Sequence, residues 1–241
     1  MANRFEKQLF APFNWDALLK NVPVSSATRK HLGQVYLACA ASSAIFALGS
    51  YLTIIIPSLA SGLWMIPALL CMFGVYVTAA RGADDKALYC LAGFALSQGL
   101  ALGHAMQYFT EELGIESVFF AAVTTASLFA AFSGFAMLSE RRSLIYLGGL
   151  AYGALHMIGL LRIFTWFVPA VSTFYWDTNL ILGTIVFILY IIADTQAIIE
   201  ESESGNRSVA MHTLKLFLDL LNLFVRVLAF LNKKAKKENK K

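Results

Sequence analysis

Seven blocks of about 20 apolar residues succeed one another along this chain, each the length of a helix that crosses a hydrocarbon core about 30 Å thick. They run roughly over 33–56, 62–80, 87–109, 117–138, 144–163, 178–200 and 209–231. Inside a bilayer every backbone N–H and C=O must be satisfied within the spanning structure, so blocks of this length specify helices. A membrane barrel would need alternating segments of about ten residues, a pattern that does not occur here. Composition agrees: 58% of the 241 residues are hydrophobic and 14% charged, against roughly a quarter charged in a soluble domain. The predicted fold is an all-α integral membrane protein, a seven-helix transmembrane bundle whose last helix is striped with polar residues and central. Residues 1–32 are expected to form a cytosolic or interfacial N-terminal segment, 33–231 the membrane domain, and 232–241 a lysine-rich tail.

Residues 1–21 lack the basic, apolar and small-residue succession of a secretory signal peptide, so the first span is expected to direct insertion. Phe5, Leu9, Phe10, Phe13, Trp15, Leu18 and Leu19 among polar neighbours predict a segment lying on the membrane surface. Arg4, Lys7, Lys20, Arg29 and Lys30 precede span one, Arg81 and Lys86 follow span two, and Arg141 and Arg142 follow span four. The loops after spans one and three have no Lys or Arg, which makes the N-terminus cytosolic. A seventh full crossing would carry the lysines at the end of the chain to the other side, so the same rule favours a last helix partly inserted or wrapped inside the other six. Trp166, Phe167, Phe174, Tyr175 and Trp176 predict a connection between spans five and six that lies flat at the interface.

Helix packing in lipid favours small residues four apart. Gly93, Ser97, Gly99 and Gly103 in span three, Ala130 with Gly134 in span four, and Gly149 with Gly153 in span five are the expected contact positions. Cys39, Cys71 and Cys90 lie inside apolar blocks without a CxxC pair or Cys/His ligand spacing and read as small core residues. The last nine positions hold six lysines and one glutamate. No aromatics interleave with them as a nucleic-acid surface would require, so Lys233, Lys234, Lys236 and Lys237 are matched to anionic membrane lipids or a protein partner, with a solvated, solubilising tail as the equal alternative.

Acid inside the last two spans is the chemically informative feature. Asp194 in IIADTQAIIE and Asp219 in LKLFLDLLNLF stand where a charge costs about 3 kcal/mol on insertion scales, so they are the candidate site. Counted from the intervening turn, their depths are about 9 and 15 Å at 1.5 Å per residue, close enough for an antiparallel hairpin to bring them together. Two carboxyls in a poorly solvated site tend to share a proton. Deprotonated, they offer hard oxygens of the kind calcium prefers, so protons and calcium would compete. Lys215, Asp219, Asn222 and Arg226 recur at i, i+4, i+7 and i+11, a narrow stripe predicted to line a polar pathway with Lys215, Asn222 and Arg226 as tuning residues. The plainer alternative pairs Lys215 with Asp219 along the helix and lets Arg226 reach the interface. His104, His156, Gln98 and Gln107 read as interhelical hydrogen-bonding residues, ahead of ion ligation by the histidines, and Glu200, Glu201 and Glu203 with Arg207 as a solvated turn, ahead of an ion-attracting vestibule.

Four segments, FNWDALLKNVPVSSATRKHLGQVY, ERRSLIYLGGL, IIADTQAIIE and HTLKLFLDLLNLFVRVL with its lysines, together resemble the Bax inhibitor-1 family over essentially the whole chain. The resemblance implies a non-enzymatic protein of the endoplasmic reticulum membrane that suppresses stress-induced cell death and permits a pH-sensitive calcium leak. It assigns the aspartates matching Asp194 and Asp219 to a proton and calcium sensor, ties the lysine-rich end to function, and makes apoptosis-regulating membrane proteins the expected partners. Two departures stand out: Lys215 occupies a position where relatives can have an acid or hydroxyl, and span two lacks the arginine with which bacterial members latch the acidic pair. No resident cofactor is expected, with calcium as the permeant or bound ion. A second reading is an interaction protein acting through partners on its loops and tail without conducting ions. An intramembrane protease is disfavoured because Asp219 lacks a glycine-rich setting, and no GxSxG elbow or HExxH helix occurs.

Overall fold

The computed structural model describes residues 24–139, 142–168, 170 and 172–238. Among them are eight α-helices: α1 (Ser26–Ile55), α2 (Met65–Ala80), α3 (Asp84–Ala101), α4 (Gly103–Leu113), α5 (Ile115–Leu138), α6 (Tyr146–Phe167), α7 (Ser172–Glu203) and α8 (Val209–Glu238). The predicted surface segment at the N-terminus, with Arg4, Lys7 and Lys20, lies outside the described residues, as do Arg141 and the last three residues.

The eighth helix arises because the third predicted span is two helices that meet at Leu102. Gly99 and Gly103 bracket the break, and glycine is the weakest helix former after proline. The aromatic connection is also revised. Trp166 and Phe167 belong to the end of α6, and Phe174, Tyr175 and Trp176 to the start of α7, leaving a connection of a few residues in place of an interfacial loop. Arg162 holds two of these aromatics, its guanidinium carbon 5.5 Å from the ring centres of both Tyr175 and Trp176. Helix α8 continues to Glu238, with Lys234, Lys236 and Lys237 exposed along it.

Local chemistry sets several boundaries. Ser25 caps α1 by accepting from the Thr28 N–H at 3.3 Å, and Gly114 precedes α5 at φ 79°, a conformation that suits glycine. Five helices are long and apolar enough to cross a membrane: Ser26–Ile55, Gly62–Ala80, Ile115–Leu138, Tyr146–Phe167 and Phe174–Glu203. Large apolar side chains such as Leu37, Phe73, Phe119, Leu138 and Met157 stand exposed on these helices. Water would disfavour so much outward apolar surface and lipid favours it. The chain is a multi-pass membrane protein.

Two compact units divide the described residues. The first comprises 24–111 with Ile198–Phe217, and the second 112–197 with residues 218–238. In the first, α1 and α3 cross where Gly49 and Gly99 bring the backbones together: a Cβ on Gly99 would strike the Phe46 carbonyl and come within 2.9 Å of the Ser50 nitrogen. Helices α2 and α3 interlock reciprocally, with the Cys71 thiol in the notch of Gly93 and the Cys90 thiol in that of Gly74. Phe217 of α8 is buried edge-on between Phe46 and Phe94. The small residues of span three therefore do make the expected contacts.

The second unit packs Ala151, Ile158, Tyr175 and Val186 into one cluster. Here the small-residue expectation fails, because Gly134, Gly149 and Gly153 face open space. Gly148 instead meets the Ala193 methyl across α6 and α7. Residues Leu221, Leu223, Val227 and Leu228 of α8 are buried in this unit, as Leu214, Leu216 and Phe217 are in the first.

Candidate functional site

Asp194 and Asp219 both belong to the second unit. Helix α7 runs on to Glu203, so Asp194 lies nine residues before its end and Asp219 ten after the start of α8. Their depths from the turn become about 14 and about 15 Å, which levels two side chains that the shorter predicted span had offset. Asp219 is buried at 6% exposure and Asp194 half-buried. Tyr190, one helical turn before Asp194, feels the charges of Asp194 and Asp219 and of Tyr152 on α6. The Tyr190 phenol can donate a hydrogen bond to a carboxylate or accept one from a carboxylic acid. Gln196, fully buried two residues beyond Asp194, ties this stretch of α7 to the end of α5 by donating to the Ala136 carbonyl.

The rest of the predicted stripe is dispersed. Asn222 is exposed and returns its amide to the Leu218 carbonyl at 2.8 Å. Arg226 is half-buried: its Nη1 donates to the Asn179 carbonyl at 2.7 Å and its guanidinium lies 5.0 Å from the centre of the Phe187 ring. Gly183 makes room for it, since a Cβ there would overlap the guanidinium group. Gly183→Ala is therefore expected to displace the flexible end of Arg226 from Asn179 and, with alanine the better helix former, to lower stability by no more than about 1 kcal/mol. Thermal unfolding in detergent checks this, and the Gly183→Ala/Arg226→Ala double variant should recover part of the loss.

Lys215, in the first unit, directs its amine to Glu201 Oε1 at 2.7 Å. That contact belongs to a polar cluster at the α7–α8 turn. Glu201 Oε2 also meets His212 Nε2 at 3.0 Å, and His212 Nδ1 lies 2.7 Å from His31 Nε2. Thr28 and Ser202 share a hydroxyl hydrogen bond at 3.1 Å, and Glu203 accepts from the Ser25 N–H. Asp84 caps α8 from the start of α3, one oxygen accepting from Ser208 Oγ at 2.5 Å and the other from the Val209 N–H at 2.9 Å. Asp84→Ala should cost about 1 to 2 kcal/mol through loss of this charged cap, read as a lower midpoint in thermal unfolding.

The turn read as solvated is therefore an organised cluster joining α1, α3, α7 and α8. Of the lone polar residues, Gln107 reaches across to the Thr53 carbonyl at 2.6 Å, as expected, whereas His156 bonds within its own helix to the Tyr152 carbonyl.

The family model described as Inhibitor of apoptosis-promoting Bax1 matches residues 28–236. The chain belongs to the Bax inhibitor-1 family. It is 31% identical to Bax inhibitor 1 of Homo sapiens over 243 residues, covering 99% of this chain and 100% of that relative. Bax inhibitor 1 of Mus musculus is 32% identical over the same shares. Bax inhibitor 1 of Arabidopsis thaliana is 31% identical over 227 residues, 92% of this chain and 88% of the relative. The matched residues include both aspartates and every member of the polar cluster at the turn except Ser25.

His31 and His212 were missed as site residues by sequence reasoning, although a signal existed. His212, Lys215, Asp219, Asn222 and Arg226 continue the same helical stripe one turn further back, at spacings of three and four. His31 carries no such signal, because its partner is 181 residues away.

Proposed function

We propose that this chain is a pH-sensitive cation leak of the endoplasmic reticulum membrane, with calcium as the permeant ion and the N-terminus cytosolic, and that it restrains stress-induced cell death. The observation that carries this reading is the pair of acids at one depth of the neighbouring helices α7 and α8. When both are ionised they present hard oxygens to a divalent cation, whose remaining ligands come from water or backbone carbonyls. When they share a proton the ion has lost a ligand and a charge, so protons and calcium exclude one another. Among the described residues no group of three or more His, Cys, Asp or Glu side chains is placed to hold a metal. Two carboxylates suit an ion that must leave again more than one bound for structural purposes. The death-restraining role is the one for which the relatives are named, and the lysines of α8 are matched to anionic lipid or to a membrane protein that regulates apoptosis.

The interaction reading has its own support in the exposed Lys234, Lys236 and Lys237 on α8. Deleting residues 233–241 separates the two. Cells expressing the shortened chain and challenged with an inducer of endoplasmic reticulum stress should survive as with the full chain if the leak protects them. Lost protection with calcium release from that store unchanged would transfer the role to docking.

A further inference from the structure

Two buried histidines at the α7–α8 turn are not used in the leak proposed above. His31 and His212 are 3% and 0% exposed, with ring centroids 5.0 Å apart and planes crossing at 77°. At 2.7 Å between His31 Nε2 and His212 Nδ1, one proton lies between the nitrogens and only one: two N–H groups would clash and two lone pairs would repel. Glu201, with Lys215 on its other oxygen, is a carboxylate and accepts only, so His212 carries its proton on Nε2. Neutral His212 therefore presents a bare Nδ1. His31 donates to it from Nε2 and keeps a lone pair on its own Nδ1.

We propose that His31, His212 and Glu201 form a one-proton relay, a proton-binding site separate from the aspartates. A proton added at His31 Nδ1 releases the bridging proton, which passes from His31 Nε2 to His212 Nδ1. His31 ends as the neutral Nδ1–H tautomer, accepting through Nε2. His212 ends as the imidazolium, donating from Nδ1 to His31 and from Nε2 to Glu201. Only N–H bonds form and break, and no heavy atom has to move. The charge appears beside the carboxylate although the proton enters at the other ring.

The Glu201 contact gives one added charge a counter-ion, and the short contact between the rings opposes a second. The pair is faced by Glu201 from α7, Lys215 from α8, Asp84 from α3 and Arg207 from the turn, while Arg29 and Lys30 on α1 itself are exposed. The two facing carboxylates and two facing cations cancel, so Glu201 is the counter-ion in direct contact with an added proton. A second proton would set two imidazolium rings N–H to N–H at 2.7 Å. The contact between α1 and α8 persists in both protonation states, so the relay takes up a proton without releasing the turn.

The test needs no ion flux, so its outcome is independent of the leak. The full chain, labelled with ring-¹⁵N histidine in detergent micelles, is followed by NMR from about pH 8 to about pH 4. It has four histidines, leaving His104 and His156 as internal references. On acidification His31 should exchange the Nε2–H for the Nδ1–H tautomer without becoming an imidazolium, while His212 becomes one at the same midpoint. Glu201→Gln, which keeps a hydrogen-bond acceptor and removes the counter-charge, should abolish the His212 imidazolium over that range. Imidazolium formation at both rings, separate midpoints, no change at either ring, or an unaltered titration in Glu201→Gln would each overturn the relay.

Discussion

Asp219→Asn is expected to leave calcium flux flat with pH, and the unaltered protein is expected to respond steeply. Asparagine keeps the size and much of the hydrogen-bonding capacity of aspartate, so the buried site on α8 should survive, but it has no proton to exchange and no charge to offer an ion. Below its midpoint the ionised fraction of a titrating group changes about tenfold per pH unit. A leak governed by the acidic pair should track that change, and one lacking either acid should not. Asp194→Asn is expected to behave alike. The double variant should be no worse than either single one, because residues that act as a unit lose their joint effect at the first substitution. Efflux assays over a pH series check all three proteins.

Gly99→Ala should be the most damaging methyl that can be added to the fold. The new carbon would meet backbone on three sides: the Phe46 carbonyl, the Ser50 nitrogen at 2.9 Å and the Gly49 Cα at 3.1 Å. Backbone atoms of packed helices cannot turn aside as a side chain can, so α1 and α3 must separate. A cost of about 3 kcal/mol, at the upper end for overpacking, is expected. Gly149→Ala is the matched control. Its Cβ meets nothing, and alanine is the better helix former, so that change should be neutral or stabilise by up to about 1 kcal/mol. Unfolding midpoints of the two variants in one detergent compare them directly, and equal midpoints would refute the close crossing.

The contrast between these glycines marks the limit of what can be read in the chain itself. Apolar block length reveals where helices run, because the thickness of the bilayer sets it. Which face of a helix meets another is decided by neighbours distant in sequence, so Gly99 and Gly149 look alike until the fold is known. The acids at 194 and 219 are legible for the same reason as the blocks: a charge in an apolar run violates the solvent rule and stands out locally. Their levelling is less legible, because helix α7 continues through Glu200, Glu201 and Glu203, polar residues that resemble a solvated turn. Glu201 is instead drawn into the helix end by His212 and Lys215, which replace the water its charge would otherwise require. Arg226 likewise looks like an interfacial side chain, and its place is set by the notch at Gly183 and the carbonyl of Asn179.

The central claim, that the pair Asp194 and Asp219 gates an intrinsic calcium leak, meets its most direct test in calcium efflux from proteoliposomes containing only the purified protein, between about pH 6 and 8. The account predicts efflux that varies with pH in the unaltered protein and loses that variation in Asp219→Asn. Vesicles that hold their calcium equally well with and without the protein at every pH would contradict it.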